Sequence, residues 1–400
     1  VTADLVVPEA RIVKQELRAF TGRLRYQDMV VTIPEWSGSV HGGHVSGGTT
    51  LRFGTGKPGT PEGDLQIETR AAWSGVNLAA LTAPYLDQPL PLKGAASGSV
   101  TVSGPATNLD VRGRAEVLDG GYAAQNVEAV SAAFHLSGKT WEVPEAVVRV
   151  AGGRLTAAAK GNEGGSVTGR FQVAEFPLDR LEALGVSIPM GGVVSAEGVI
   201  GGNATVPESI RVSGKLQGAQ VVIDGQRVEE ALVRWSFAGK RLDLPLVEGK
   251  TAGGGVTGSG HLMLPGAKQA IPDFSFDLVM KDVEAGEIEP LQRLLVEQMG
   301  MVRGVVTMTA HVESQDQELK ARGDLDAKQI DAERFGELER VWGPIYFGHD
   351  RLTLPELRVK PELGSQGDDA EIVVKGDVDF SGRKGNVPDP VANLTVTTID

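Results

Sequence analysis

The sequence has no cysteine, few aromatic residues and no long apolar run. Without cysteine the chain can form neither disulfides nor thiolate metal sites, and the redox compartment is left undecided. No window of about 18 apolar residues occurs, so no segment is predicted to span a bilayer as a helix. Acidic residues outnumber basic ones by 52 to 39, and no basic run is present that could follow a phosphate backbone. The sequence therefore predicts no nucleic-acid binding.

The chain also lacks the composition breaks that separate ordinary domains. Its 400 residues exceed the roughly 250–300 at which a single core stops growing, but stacked repeats contact only their neighbours and escape that limit. No signal peptide precedes the patterned sequence, and residues 393–397 resemble a strand that is just beginning. We therefore expect a central fragment of a longer protein.

One hairpin pattern recurs around Pro34, Pro144, Pro245 and Pro355, which are 110, 101 and 110 residues apart. Apolar residues occupy the positions ten, eight, three and one before each proline, and turn-forming residues separate the two apolar pairs. The pattern predicts a β-hairpin with one apolar face in each copy. Because proline has no backbone N–H to donate to a neighbouring strand, we expect each of the four prolines to lie at a bulge or bend. A fixed period of this kind is typical of a repeat protein.

The remaining segments alternate between apolar and polar residues with a period of two. Between residues 111 and 117, Val, Gly, Ala and Val alternate with Arg112, Arg114 and Glu116, and the same rule places Val373 on a solvated face. Such alternation predicts strands with one wet face and excludes a parallel sheet that is buried on both faces. Each copy contains about five or six strands and one short helix. The helices are predicted at 77–86, 177–184 and 289–299.

We therefore predict an all-β protein with a few short helices, an elongated repeat protein built from one long curved antiparallel sheet. The sheet is expected to form a β-groove with an apolar interior. Small inward residues such as Gly113 and Gly214 leave two alternatives open, a groove that holds acyl chains or a narrow packed core. The expected rod is continuous over residues 1–400, with approximate repeats 17–125, 126–226, 227–330 and a partial copy 331–400.

Several motifs of catalytic and metal sites are incomplete. Residues 54–59 match the pattern G-x-G-x-x-G, but a proline lies inside and no helix follows, so a hairpin loop is expected. The Gly-Lys-Thr triplets at 138–140 and 249–251 lack the earlier glycine that a phosphate loop needs. His41 and His44 are expected to be surface residues of a Gly-rich turn rather than metal ligands. We therefore expect a protein that is not an enzyme and has no cofactor.

The period, the helix after the fourth strand and the phrases at 102–113 and 133–161 resemble the AsmA and TamB family of bacterial envelope proteins. The resemblance covers essentially the whole chain and consists of Gly, Pro and alternating apolar positions. It implies a rod in the periplasm of a diderm cell, anchored through a segment outside this chain. Its apolar trough would let phospholipid or other acyl-chain lipid pass between the inner and outer membranes. The TamB branch also implies an outer-membrane assembly protein as a partner.

Two other functions remain open, and each makes a different use of the sheet. One is a structural or adhesive β-repeat rod with a filled core. The other is a chaperone-like scaffold that holds an unfolded outer-membrane strand at a sheet edge. For the lipid function we expect a monomeric rod in which no single residue is essential and the hairpin aromatics face the trough. The candidate groove-lining residues are Tyr26, Val111, Val117, Phe134, Trp141, Ile210, Val212, Leu216, Trp235, Phe274, Phe276, Leu278, Met280, Val306, Met308, Leu319 and Leu325.

Overall fold

The computed structural model consists almost entirely of β-strands. The described residues include 23 strands of nine residues or more, which belong to one antiparallel sheet that is not closed, and this confirms the predicted fold class. The chain divides into two compact units, Val1–Leu184 with Glu197–Ile210, and Gly185–Ala196 with Arg211–Asp400. The structure describes residues 1–12, 15–54, 56, 63–85, 90–122, 125–180, 189–264, 272–289, 292–293, 300–315, 318–334, 336–349, 351–362, 371–379, 383–384, 387–388 and 391–399.

The first unit is a series of antiparallel strands, each paired with the next along the chain. A short helix, α1 (Leu78–Thr82), and a 3-10 turn (Ala83–Tyr85) follow the fifth strand. The strands are β1 (Thr2–Ile12), β2 (Gln15–Gln27), β3 (Val30–Val40), β4 (Gly43–Arg52), β5 (Gln66–Asn77), β6 (Leu92–Pro105), β7 (Asp110–Tyr122), β8 (Gln125–Ser137), β9 (Thr140–Val150), β10 (Gly153–Asn162) and β11 (Ser166–Pro177).

The second unit repeats this organisation. Two strands, β12 (Met190–Asn203) and β13 (Val206–Ile223), are divided between the units, and a 3-10 turn at Ala285–Glu287 follows the fourth strand after them. Neighbours along the chain again pair antiparallel. The other strands are β14 (Gln226–Ala238), β15 (Arg241–Thr251), β16 (Gly254–Met263), β17 (Phe274–Glu284), β18 (Val302–Gln315), β19 (Glu318–Ala332), β20 (Gly336–Gly348), β21 (Arg351–Pro361), β22 (Glu371–Asp379), β25 (Val391–Ile399) and the separate pair β23 (Arg383–Lys384) and β24 (Val387–Pro388).

Each recurring proline lies in a β-bulge, as predicted. In the first copy the residues from Ile33 to Trp36 span three steps, while their partners on β4 span two. The same mismatch occurs at Pro144, Pro245 and Pro355. Because the side-chain period of a strand is two, the extra residue keeps the apolar residues on both sides of the proline on one face.

A tight turn follows each of the first three prolines, between the strand that contains the proline and the next strand. Its two central residues have φ angles of 46° and 82° at His41–Gly42, 53° and 80° at Ala151–Gly152, and 49° and 73° at Ala252–Gly253. Two left-handed residues are the signature of a type I′ turn, whose twist matches that of the flanking strands. The predicted hairpins are the strand pairs that turn before each proline, and the antiparallel pairing of β2 with β3, β8 with β9, β14 with β15 and β20 with β21 confirms them.

The predicted helices are present as far as the structure describes them. Residues 77–86 contain α1 and its 3-10 extension up to Tyr85. Residues 178–180 are a 3-10 turn, and the rest of the second predicted helix lies outside the described residues. In the third, residues 289, 292 and 293 are described and helical. Most of the loop at 54–59 also lies outside the described residues.

Candidate functional site

The strand register gives the first unit one apolar and one polar face. Directly paired residues share a face, and one such row joins Gly47, Ala71, Val100, Gly113 and Phe134 across β4 to β8. The neighbouring row on the opposite face is formed largely by hydroxyl-bearing and charged residues. We call the side of the first row the apolar face.

The second unit has the same division. Its apolar face includes a row from Gly258 through Leu278, Ala310 and Gly323 to Ile345 on β20. No residue in this row or in the first unit's row is charged. The face is therefore a surface that water solvates poorly, except where other apolar groups cover it.

All 17 candidate groove-lining residues lie on the apolar face of their strands, by register or, for Ile210, by alternation with Val212. Most are half-buried. Val117 and Val306 are buried, whereas Tyr26 and Leu319 are exposed to 40% and 41%. The structure thus brings the candidates to one kind of surface, and contact with lipid stays a prediction.

Tryptophan rings cover the glycines of the apolar face. Trp36 is paired with Gly47 and Trp141 with Gly161, and a Cβ atom added to either glycine would lie 2.6 Å from Cζ2 of the indole. Such an atom would collide with the ring. Gly98 under Trp73 has the same arrangement.

Phenylalanine rings cover two further glycines, with Phe134 over Gly113 and Phe276 over Gly260. The small residues therefore make room for a ring on the next strand, an arrangement known to stabilise glycine in sheets. Neither of the two alternatives derived from the sequence, an acyl-chain groove or a narrow packed core, included this packing of rings over glycines. The signal was available, because each glycine and its aromatic partner lie directly opposite once the hairpin register is drawn.

One margin of the apolar face is sealed in the first unit. Val76, Ala96 and Val117 form a single register row, and they are exposed to only 2%, 3% and 8%. The row lies at the strand ends where β5 gives way to α1. We call this end of the strands the closed margin.

The closed margin of the second unit is built in the same way. Val283, Val306 and Ala327 form a row with exposures of 0%, 9% and 5%. Val283 is the largest fully buried side chain among the described residues. The row adjoins the 3-10 turn after β17. The buried core cluster here consists of Ala285, Val302, Val306, Ala327, Ile330 and Ala332.

The opposite strand ends form an open margin. Tyr26 at the end of β2, Leu136 at the end of β8 and Leu319 at the start of β19 are exposed to 40%, 43% and 41%. They are apolar-face residues by register. Within each unit the face therefore changes from sealed to accessible along the direction of the strands.

The polar face carries exposed ion pairs. Arg340 donates two hydrogen bonds to the carboxylate of Asp326, at 2.7 and 3.0 Å, and these bonds hold the pKa of Asp326 below its usual range. The guanidinium lies 4.8 Å from the ring centroid of Trp342. His135 donates at 2.8 Å to Asp110, which lowers the pKa of that carboxyl group.

Shallow depressions on the polar face gather charged side chains. One of about 300 Å³ is lined by Asp277, His311 and Arg322, and another of about 470 Å³ by Arg114 and Glu116. Among the described residues, no group of three or more potential ligands could hold a metal ion. Within the same residues, no helix is long and apolar enough to cross a membrane.

The predicted solvation of Val373 is wrong. It lies on the polar face of β22, yet only 4% of its surface is exposed. Its register row contains Arg358 on the neighbouring strand and Trp342 on the strand after that, and both have large side chains. The polar face is therefore solvated in general but contains a local patch of packing.

No family model matches the chain, and neither the curated proteins nor the solved structures contain a match.

Proposed function

We propose that the chain is a non-enzymatic segment of a lipid-carrying rod, and that its apolar faces hold acyl chains. The observation that carries the proposal is the half-buried state of the apolar rows between the two margins. If a second layer sealed this face, as in a β-sandwich, the side chains of Leu278 and Phe276 would be buried. They are half-buried instead.

The binding chemistry is physical. Each methylene removed from water contributes about 0.8 kcal/mol, so a 16-carbon chain gains roughly 12 kcal/mol on full burial. A face without charged residues keeps that gain similar from row to row, and a chain can move along it without returning to water. The proposed cargo class is phospholipid or another acyl-chain lipid, and the resemblance to AsmA and TamB proteins supports a periplasmic location for the rod.

The decisive experiment adds a charge to either face. Val212→Asp and Leu325→Asp place a carboxylate on the apolar face, and Gln217→Asp places the same charge on the polar face of β13. We expect the first two variants to lose lipid, measured by native mass spectrometry of the purified protein, by at least fivefold. Gln217→Asp is expected to retain it, and far-UV circular dichroism checks folding.

Full lipid occupancy in both apolar-face variants would contradict the proposal. So would a wild-type protein that, when mixed with phospholipid vesicles, takes up no lipid. That second outcome would favour the structural rod, because a face that accepts no acyl chain acts only as a spacer.

The chaperone-like alternative makes a different prediction. Crosslinks from the sheet to nascent outer-membrane strands, with none to lipid, would favour this function over lipid transfer.

A further inference from the structure

Both units contain a segment that leaves the sheet at the closed margin. We call these segments straps: residues 77–85 after β5, and the described residues of 284–293 after β17. Each strap begins with a backbone bond to a hairpin turn at the same margin. The amide of Asn77 donates to the carbonyl of His41 at 3.3 Å, and the amide of Glu284 donates to the carbonyl of Ala252 at 2.8 Å.

Each strap reaches back to a glutamine three strands earlier. Gln15 Nε2 donates to the carbonyl of Leu81 at 2.9 Å, and the amide of Glu289 donates to Gln226 Oε1 at 2.9 Å. Gln15 and Gln226 are the first residues of β2 and β14. At about 4.8 Å per strand, each connection spans roughly 14 Å across the strand ends.

The two glutamines are themselves held in place. His41 Nε2 donates to Gln15 Oε1, and Gln226 Nε2 donates to Thr251 Oγ1 at 2.7 Å. Each glutamine therefore joins three elements: its own strand, the next hairpin turn and the strap. Both occupy the position 19 residues before a bulge proline.

The second strap has additional bonds at its far end. Arg293 donates to both the carbonyl and the carboxylate of Asp224, at 2.7 and 2.8 Å. Gln292 Nε2 donates to the carbonyls of Ala285 and Val302, at 2.8 and 2.7 Å. The strap is thus held on the turn before β14 on one side and on β18 on the other.

We infer that Gln15 and Gln226 are the catches of a repeated latch, which holds the straps down over the closed margin and can release them while the sheet stays folded. The first strap depends on polar bonds, because α1 contains no buried residue. The second strap also buries one small side chain, that of Ala285, in the core cluster. Elements with few buried apolar contacts open locally at low free energy. Release of the second strap would uncover the sealed row that contains Val283. The inference does not depend on what the apolar face carries.

Hydrogen exchange of the full chain tests the latch. In Gln226→Ala, the amides of 284–293 are expected to exchange about fivefold faster, the factor that corresponds to a bond worth ~1 kcal/mol. Those of β17 and β18 are expected to stay unchanged. Gln15→Ala is expected to act on residues 77–85 only. Gln217→Ala, a glutamine exposed on the polar face, is the control and should change neither strap.

A second pair of variants removes the donor instead of the acceptor. Glu289→Pro deletes the amide hydrogen that Gln226 accepts, and the extended conformation of Ile288, φ −88° and ψ 92°, suits a following proline. Glu289→Ala keeps the amide and loses only the side chain. We expect fast strap exchange in Glu289→Pro and not in Glu289→Ala.

Two results would overturn the latch. One is wild-type exchange of the strap in both Gln226→Ala and Glu289→Pro. The other is equal acceleration of the strap, β17 and β18 in Glu289→Pro, since the catch would then be an ordinary part of the folded sheet. Lipid occupancy is a separate measurement, so failure of the proposed function leaves this test intact.

Discussion

The closed and open margins of the apolar face are both formed by apolar residues but differ in what covers them. At the closed margin Val76 and Val283 are exposed to 2% and 0%, whereas at the open margin Leu136 is exposed to 43%. A strap lies at the first end, and in the described residues no equivalent segment lies over the second. The same face is therefore core at one end of its strands and surface at the other.

The largest expected effect comes from a charge at the closed margin. Val283→Asp buries a carboxylate without a partner, and we expect it to lower the free energy of unfolding by about 4 kcal/mol or more. Leu278→Asp, five residues earlier on the same strand in a half-buried row, is expected to cost about 1–2 kcal/mol. Urea unfolding followed by far-UV circular dichroism measures both. Equal losses would mean that the margins do not differ energetically.

The next effect concerns the aromatic rings. Trp141→Ala removes the ring from Gly161 and is expected to destabilise the first unit by about 2–3 kcal/mol, because the indole covers the neighbouring backbone. Leu136→Ala, at the exposed end of the neighbouring strand, is expected to cost less than about 1 kcal/mol. Thermal unfolding compares the two. A larger loss in Leu136→Ala would show that the open margin is covered in solution.

A smaller effect is expected when the glycine is changed instead. In Gly161→Ala the new Cβ atom meets the backbone carbonyl of Ser166 as well as the indole of Trp141, and we expect a cost of about 1–3 kcal/mol. Gly255→Ala is the matched control, because a Cβ atom there meets nothing within 4 Å. We expect the control to be neutral or slightly stabilising. A neutral Gly161→Ala would show that the ring and the neighbouring strand both shift at little cost.

The smallest effect is acid sensitivity near the closed margin. The pKa of Asp326 is lowered by the hydrogen bonds from Arg340, so its contribution to stability is present above about pH 4 and is lost as the pH falls through the lowered value. Because the ion pair is mostly solvated, we expect it to contribute about 0.5 kcal/mol to the free energy of unfolding. Asp326→Asn should flatten the dependence of the unfolding midpoint on pH in this range. An unchanged slope would mean that other carboxylates cause it.

The sequence predicted the repeat, the hairpins, the bulge at each proline and the sidedness of each strand. These features are local, because period-two alternation and turn residues act within one or two strands. The burial of particular residues was harder to predict. Val117 and Leu136 belong to the same alternating pattern, yet Val117 is buried and Leu136 is exposed to 43%.

The sequence predicted helices at the straps but not the hydrogen bonds that connect the straps to the two glutamines. The position of the catches recurs in the sequence, since Gln15, Gln125 and Gln226 each precede a bulge proline by 19 residues, and the fourth copy has Gly336 there. A glutamine at a strand start has no characteristic chemistry, so this recurrence is informative only once the contact is seen. The same holds for the glycines that aromatic rings cover, because their aromatic partners can be identified only when the strand register is known.

The order of pairing has a consequence for how the chain assembles. Nearly every strand hydrogen-bonds to the strand just before and just after it, so each addition needs only a partner that has already been made. The strap bonds are different, because Gln15 and Leu81 are 66 residues apart, and Gln226 and Glu289 are 63 apart. In a chain that folds as it emerges from the ribosome or crosses a membrane, these bonds are expected to close last. Each of them would then form only after the strands that it spans, β2 to β5 or β14 to β17, have paired.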